Sequence, residues 1–462
     1  MNIKDKYLGS IKLAAIGDAL GWITEFEKSQ DDIKKKYHVD KIITFHDWTK
    51  YVGGKYYGYI DEIKRGSYSD DTQLLLAVAR SIKQDGTVDN EYFSKIELPA
   101  WLLYSRGAGR TIKNAARKIK RKSAKWNNNF FTFKIGKKTI DYRESGANGA
   151  AMRILPIALA NYGNLKKINK EIFDNSIITH GHPRAIIGAM LYGLAVNTIL
   201  KSTPSNFNYK FFLTELGKDI EYKLSIDHIL NNKEITEWIS IWNKHSNRKF
   251  YSLFKTTIIE AQNSLRDIFK SLKNNTNDKE VYNKIGCFDN ETKGSGISTV
   301  VASIYLTSKY YFDPVKAIEI AVNQIGSDTD SIAAFTGGLL GALHGQTIIP
   351  NRWKEIQDYN YLEFIAERLF KIAQKKMKLI NFSFKKNIYN RNLNFSEDIY
   401  QINEEIYFDP LGYGKIVNIE RQKTLTKGKY NLILDVDFKI GQSCRFVKLF
   451  DISTYPKFKE LQ

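Results

Sequence analysis

The sequence predicts a mainly α-helical protein with a small β-rich unit at its C-terminal end. Three observations carry that expectation. From residue 6 to about 376, apolar residues recur at helical spacing, often within Ala-, Leu- and Gly-rich runs. After a break between about 379 and 400, short β-branched runs separated by Gly and polar turns take over. With 462 residues, 43% of them hydrophobic, the chain is long enough to bury a core and to divide in two. The expected domains are 1–378, with a polar helical insert at about 202–290, and 395–462.

Residues 7–20 form the first predicted helix, with Gly21 as a C-terminal cap and Glu25 in the loop beyond it. Residues 71–82 form the next strong one. Segments 151–161 and 184–200 are rich in Ala, Leu, Ile and Gly, which predicts buried, closely packed helices. Asp313 and Pro314 open a helix that runs to about 323, with Pro at its favoured first position. Segment 331–343 again reads as a buried helix, and 355–375 is amphipathic. The insert is rich in Lys and Asn and contains the loop-like run 273–278, so it reads as surface helices covering the core and one side of a cleft. In the tail, 406–408, 415–419, 432–438 and 445–449 read as strands. Roughly five short strands in so small a unit predict a curled, SH3-like β-barrel.

Cys287 and Cys444 lie far apart and form no CxxC pair, which fits a reducing cytoplasm. Residues 1–6 lack a signal-peptide apolar stretch, and no uncharged apolar run reaches the roughly 18 residues of a membrane span. A cytoplasmic protein with no membrane partner is expected. The formal charge of +20 raises a nucleic-acid reading, although Lys, Asn and Ile are abundant throughout. The densest stretch, 106–125, holds nine Lys or Arg and no acid, among them Arg110, Lys113, Arg117, Lys118, Lys120, Arg121 and Lys122. On a helix such a run is commonly a solvated face, with phosphate binding as the alternative. Aromatic residues are absent from it until Trp126 and Phe130, so the run alone is no base-stacking platform.

Against this basic background two acidic segments stand out: Ser69-Asp70-Asp71-Thr72 and, about 260 residues later, Asp328-Thr329-Asp330-Ser331. Each precedes an apolar helical run. Ser, Thr and Asp are ordinary helix caps, and acids suit the positive end of the helix dipole. One side chain suffices to cap a helix, so the adjacent Asp70 and Asp71, and the pair Asp328 and Asp330, exceed that need. If the two helix ends meet, they make an oxygen-rich site for a hard divalent cation.

Two Gly-rich segments, 106–111 and 145–149, also open helices. Each is an anion cradle or simply a tight loop. Thr179-His180-Gly181-His182-Pro183 opens another helix. With no third nitrogen or sulfur ligand nearby, hydrogen bonding or stacking suits these histidines better than zinc ligation.

In this order, the segments resemble the ADP-ribosylglycohydrolase family, which includes the dinitrogenase-reductase-activating glycohydrolases. The resemblance rests on Gly17-Asp18-Ala19-Leu20-Gly21 leading to Glu25, Ser69-Asp70-Asp71-Thr72, Ala147-Asn148-Gly149-Ala150-Ala151-Met152-Arg153, Thr179-His180 and Gly326-Ser327-Asp328-Thr329-Asp330-Ser331. It covers residues 1 to about 375 and leaves out the tail. It implies an orthogonally packed helical domain holding two Mg²⁺ or Mn²⁺ ions. Ser69, Asp70 and Asp71 match one ligand set, and Asp328, Asp330 and Ser331 the other. Asn148, Gly149, Ala150 and Met152 match the loop that receives diphosphate and ribose, His180 matches a ligand-contacting histidine, and Gly109 and Arg110 join the diphosphate side. Asp70 also reaches the ribose. Glu25 matches a glutamate that closes over the ligand, and Glu25 or Asp71 handles protons. Ala147 and Ser327 replace glycines of the family pattern, which narrows backbone freedom there.

The implied activity is metal-dependent hydrolysis of the glycosidic bond between ADP-ribose and an acceptor. An ADP-ribosylated protein is the first expected substrate, with ADP-ribosylated nucleic acid or a small ADP-ribose ester as alternatives. The C-terminal domain is expected to dock the macromolecular target. The rival reading is a catalytically silent ADP-ribose-binding or nucleic-acid-associated module that uses 106–125 and the tail.

Overall fold

In the computed structural model, residues 2–377, 391–393, 395 and 399–451 are described. Most of the expected domain boundary, 378–390, and the end of the tail, 452–462, lie outside the described residues. The centre is an antiparallel pair of helices, Ile3–Thr24 and Thr329–His344, both buried along nearly their whole length. Small residues let them touch backbone to backbone. A Cβ on Gly17 would stand 2.2 Å from the Ala333 carbonyl oxygen, and one on Gly21 would stand 2.5 Å from the Asp330 Cα. Gly21 therefore does not cap the first helix. The helix continues to Thr24, and Gly21 serves as the contact point where its C-terminal end meets the N-terminal end of Thr329–His344.

Around this pair pack Asp70–Ser81, Pro183–Ile199, Gly296–Tyr310, Pro314–Asn323 and Tyr359–Ala373. The helix expected over 151–161 is instead two pieces, a 3₁₀ turn Asn148–Arg153 and a short α-helix Leu155–Ala160. Pro156 lacks the N–H a continuous helix needs and sits in the first turn of the second piece. The insert supplies surface helices, among them Lys233–Lys244 and Phe250–Lys273, whose Trp238, Trp242 and Phe250 bury against the body. Two short antiparallel hairpins interrupt the helical region, and the helical spacing gave no sign of them. They are β1 (Trp48–Val52) with β2 (Tyr59–Ile63), and β3 (Thr132–Ile135) with β4 (Lys138–Asp141). Among the described residues no helix is long and apolar enough to cross a membrane.

The tail forms one sheet in the order β5 (Arg391–Asn392), β6 (Glu405–Phe408), β7 (Gly412–Lys423), β8 (Lys429–Phe438) and β9 (Ser443–Asp451). The last four strands are antiparallel. The expected barrel closure is not found: among the described residues β9 pairs only with β8, and the sheet stays open. Its apolar face is covered by the helical region. Phe446 packs edge-on to Tyr104 at 5.6 Å and to Phe408 at 5.0 Å between ring centroids. Polar bonds follow the same seam. Val447 N–H donates to the Leu103 carbonyl, Ser443 N–H to Asp358, and Arg80 to Gln442.

Candidate active site

Asp18 organises the first acidic helix start. It is fully buried six residues before the end of the first helix and accepts from Ser69 N–H at 3.2 Å, Thr72 N–H at 3.0 Å and Thr72 Oγ1 at 2.6 Å. Ser69 Oγ accepts from Asp71 N–H at 3.2 Å. Asp18 and Ser69 thus satisfy the N–H groups of Thr72 and Asp71 at the start of Asp70–Ser81, and the Asp71 carboxylate is not spent on capping. Asp328 likewise occupies the N-cap position of Thr329–His344 without capping it. Ser331 Oγ donates to Asp71 Oδ2 at 2.7 Å, so the two acidic starts converge. Ser331 N–H donates to Asp330 Oδ1 at 2.8 Å.

Three loops press on this cluster at backbone distance. Gly107 is at φ +84°, and a Cβ there would stand 3.1 Å from both Asp70 Oδ1 and Trp22 Nε1. Gly294, at φ +69°, comes nearer still to Asp328, whose Oδ2 would lie 2.6 Å from a Cβ there. Asn148 donates to Asp328 Oδ2 at 3.3 Å, and its own N–H bonds the Gly294 carbonyl at 2.9 Å. Ala147, at φ −66° and ψ 158°, is in an extended conformation open to any residue, so no glycine is needed there. Behind the 148–153 turn, buried Arg153 bonds the Gly149 carbonyl and Asn175, holding the turn in shape. His180 lies against Gly149, where a Cβ would approach its Cε1 to 2.8 Å, and its Nδ1 lies 2.8 Å from Thr179 Oγ1. Burial, with Arg153 nearby, pushes the His180 pKa down to about 3, so the ring is neutral.

The carboxyls are driven the other way. Burial raises Asp70 to about 7, with Asp18 adding repulsion and Lys113 and Lys50 opposing. Asp71, Asp330 and Glu25 are held well above the usual carboxylate range, first by burial and then by neighbouring acids, Asp18 foremost for Asp71, Glu25 for Asp330 and Asp328 for Glu25. Lys50, on β1, and Lys113, in helix Arg110–Lys118, are lowered by burial and pulled back up by the acids, Glu25 foremost for Lys50 and Asp70 for Lys113. Glu25 Oε2 and Trp22 Nε1 are buried beside the cluster without hydrogen-bond partners.

The ADP-ribosylglycohydrolase family model matches residues 1–378. The chain belongs to the ADP-ribosylglycohydrolase family. It is similar to the ADP-ribosyl-(dinitrogen reductase) glycohydrolase of Rhodospirillum rubrum, at 24% identity over 359 residues, 76% of this chain and 90% of the relative. It is also similar to ADP-ribosylarginine hydrolase Tri1 of Serratia proteamaculans, at 22% identity over 384 residues, 80% of this chain and 81% of the relative. A solved ADP-ribosylglycohydrolase-related protein complex shares the fold, with a TM-score of 0.53 at 17% identity over 80% of this chain and 99% of that one.

For a member of the ADP-ribosylglycohydrolase family, the donors present fit an oxygen-preferring divalent cation. Four carboxylates and two hydroxyls gather, of which only Ser69 and one oxygen of Asp330 accept helix-start N–H groups from a following residue, and an orphaned Glu25 oxygen faces them. Among the described residues, no three His, Cys, Asp or Glu side chains converge into a ready-made metal cage, so the chain sets out the donors without closing a shell. The fold brings Ser69, Asp70, Asp71, Asp328, Asp330, Ser331, Glu25 and Asn148 to one place. Gly149, Ala150 and Met152 are buried in the adjoining turn with His180 behind them, while Gly109 and Arg110 lie at the exposed rim. Sequence reasoning gave no role to Asp18, Gly107, Gly294 or Lys50. Asp18 and Gly107 stood inside quoted motifs, but Gly294 and Lys50 carried no local signal.

Proposed function

We propose that this protein hydrolyses the glycosidic bond between ADP-ribose and an acceptor, with two Mg²⁺ or Mn²⁺ ions held at the paired helix starts. The Ser331–Asp71 hydrogen bond carries the reading, because it joins the two acidic segments that the family pattern assigns to ligation. Family and relatives support ADP-ribosyl hydrolysis as the activity. Ser69, Asp70 and Asp71 would hold one ion, and Asp328, Asp330 and Ser331 the other. Bound there, such ions supply orientation of the sugar hydroxyls and a water of lowered pKa.

The reacting bond is that at C1″ of the distal ribose, and its transition state resembles an oxocarbenium ion. Asn148, Gly149, Ala150 and Met152 form the turn that would receive ribose and diphosphate, with Gly109 and Arg110 on the diphosphate side. Asp70 would also touch the ribose. His180 is neutral and backs the turn without adding charge. Glu25 is the better proton carrier of the two candidates. Burial and the neighbouring Asp328 raise its pKa, which favours holding a proton, and one of its oxygens has no hydrogen-bond partner among the described residues, whereas Asp71 is tied to Ser331. Cys287 and Cys444, both free and buried, suit a cytoplasmic setting.

The test is release of ADP-ribose from a modified protein with Mg²⁺ or Mn²⁺ and then with EDTA, beside calorimetric titration of ADP-ribose under both conditions. Metal-dependent release and binding are expected. Binding without release would instead favour the silent ADP-ribose-binding module.

A further inference from the structure

Residues 105–109 belong to no helix or strand, yet they carry backbone that meets the acids. A Cβ on Gly107 would stand 3.1 Å from Asp70 Oδ1 and 3.4 Å from Ser69 Cβ. A stretch outside regular structure takes its shape from whatever grips it. On one side the grip is helix Asp70–Ser81. Gln73 Oε1 accepts from Arg106 N–H at 3.3 Å, and Gln73 Nε2 donates to the Tyr104 carbonyl at 3.1 Å. On the other side it is the C-terminal sheet.

Three successive residues of β9 take part. Val447 N–H donates to the Leu103 carbonyl at 3.2 Å, Phe446 packs on Tyr104, and Arg445 reaches Asp61 on β2. Asp61 is only 2% exposed and holds two guanidinium groups. Arg106 meets it through Nη2 at 2.8 Å and Nε at 3.1 Å, Arg445 through Nη1 at 3.3 Å. Both arginines also donate to the Glu62 carbonyl. Arg445 is fixed in turn by two bonds to Asp435, at 2.7 and 2.8 Å, and Asp435 accepts from Asn418. Two cations and two anions balance, so these charges pair among themselves away from water. β2 is pinned beside them, since the Gln422 amide bonds both the N–H and the carbonyl of Ile60 at 2.8 Å. The Arg106 guanidinium lies 5.4 Å from the Trp22 ring centre.

The contacts run Asp435, Arg445, Asp61, Arg106 and end one residue from the backbone that abuts Asp70. A guanidinium fork bonded at both ends fixes orientation as well as distance, so position is passed along the chain. A tail that only docked a target would not commit buried charges to this loop. We infer that Arg445, acting through Asp61, is a positioning residue for the hydrolase site: the C-terminal sheet holds 105–109 against Ser69 and Asp70 and keeps those donors set for a cation. The inference rests on the hydrolase reading and gives the tail a part in it.

The test uses the full chain carrying Arg445→Gln with Asp435→Asn. The pair removes one cation and one anion, so Asp61 keeps Arg106 and no charge is stranded. Hydrogen–deuterium exchange over 103–109 should quicken by about tenfold or more, with helix Thr329–His344 unchanged. Mn²⁺ affinity, titrated by electron paramagnetic resonance, should fall by about tenfold, as when a ligand loses its outer support. At saturating Mn²⁺, kcat should return to within about twofold, because every donor remains. Arg445→Lys keeps the charge but not the fork and should weaken Mn²⁺ binding by about threefold. Phe450→Ala is the control for simple destabilisation. It removes a ring stacked on Tyr430 at 5.9 Å within the sheet, lowers the melting point and leaves the chain of contacts alone, so Mn²⁺ affinity of the folded variant should hold. Unchanged exchange over 103–109, or an equal loss of affinity in Phe450→Ala, would overturn the inference and leave the hydrolase standing. An unaltered chain that binds neither Mn²⁺ nor ADP-ribose would remove both.

Discussion

Ser331 Oγ donates a 2.7 Å hydrogen bond to Asp71 Oδ2, joining helix starts 260 positions apart in the chain. The bond is a consequence of packing two levels below it. Gly17 and Gly21 let the first helix lie against Thr329–His344 at backbone contact, which places Asp328 and Asp330 beside Glu25. From the same helix Asp18 reaches across and captures Ser69 and Thr72. One helix therefore positions both acidic segments.

Replacing Asp70 and Asp330 together by Asn is expected to lower the rate of ADP-ribose release by more than about a hundredfold, since two anionic donors become neutral amides. The helix-start N–H that Asp330 accepts, from Ser331, can still be accepted by the side-chain oxygen of Asn, so the far-UV circular dichroism spectrum should not change. Undiminished release by a folded double variant would remove these residues from the mechanism.

Ser331→Ala tests the bridge more gently. It leaves every carboxylate in place but frees Asp71, so metal affinity should fall by about tenfold. An unchanged affinity would mean that the hydrogen bond reports proximity alone.

The raised carboxyls make stability fall with pH. Folded Asp70 keeps its proton up to about pH 7, while the unfolded chain gives it up near the ordinary value of 3.8. The contribution is thus fully present below 3.8 and lost as pH rises through about 7, with Asp71, Asp330 and Glu25 acting in the same direction. Thermal melts in EDTA should fall across that window, and Mg²⁺ or Mn²⁺ should restore them most at the upper end. A melting temperature that rises from pH 4 to 7 in EDTA, with no gain from either ion, would contradict the assignment.

Gly21→Val should be strongly destabilising, because its Cβ would stand 2.5 Å from the Cα of Asp330 and backbone must move. A loss of about 3 kcal/mol or more in denaturant melts is expected, at the upper end for overpacking. This glycine marks where sequence reading ran out. Its spacing after an apolar run is that of a cap, and only the partner helix, more than 300 residues away, reveals a contact instead. The acidic pairs were legible because they exceed what caps use. Asp18 was visible only as part of a motif, since a lone Asp within a helix has no local pattern to announce three incoming donors. Hairpin β1–β2 was invisible for a related reason: its exposed tyrosines and glycines carry no buried periodicity, and it is held by a sheet some 360 residues later.

That last dependence predicts how the molecule unfolds. If the C-terminal sheet were a tethered docking module, calorimetry would show two separate transitions. The sheet instead shares Phe446 and Phe408 with Tyr104 of the helical region, Asp358 and Leu103 bond directly to β9, and Arg80 bonds Gln442 in the turn before it. A buried apolar seam edged by satisfied polar bonds couples two units more tightly than a linker does. A single cooperative transition is therefore expected for the full chain, and removal of 391–462 should expose Tyr104, loosen hairpin β1–β2 and lower the melting point of the helical part. Gln422→Ala offers the local version. It should leave the sheet intact yet increase proteolytic cutting near Gly53 and Gly54, where the hairpin turns. Two resolved transitions, or a truncated chain as stable as the whole, would return the sheet to the role of an independent domain.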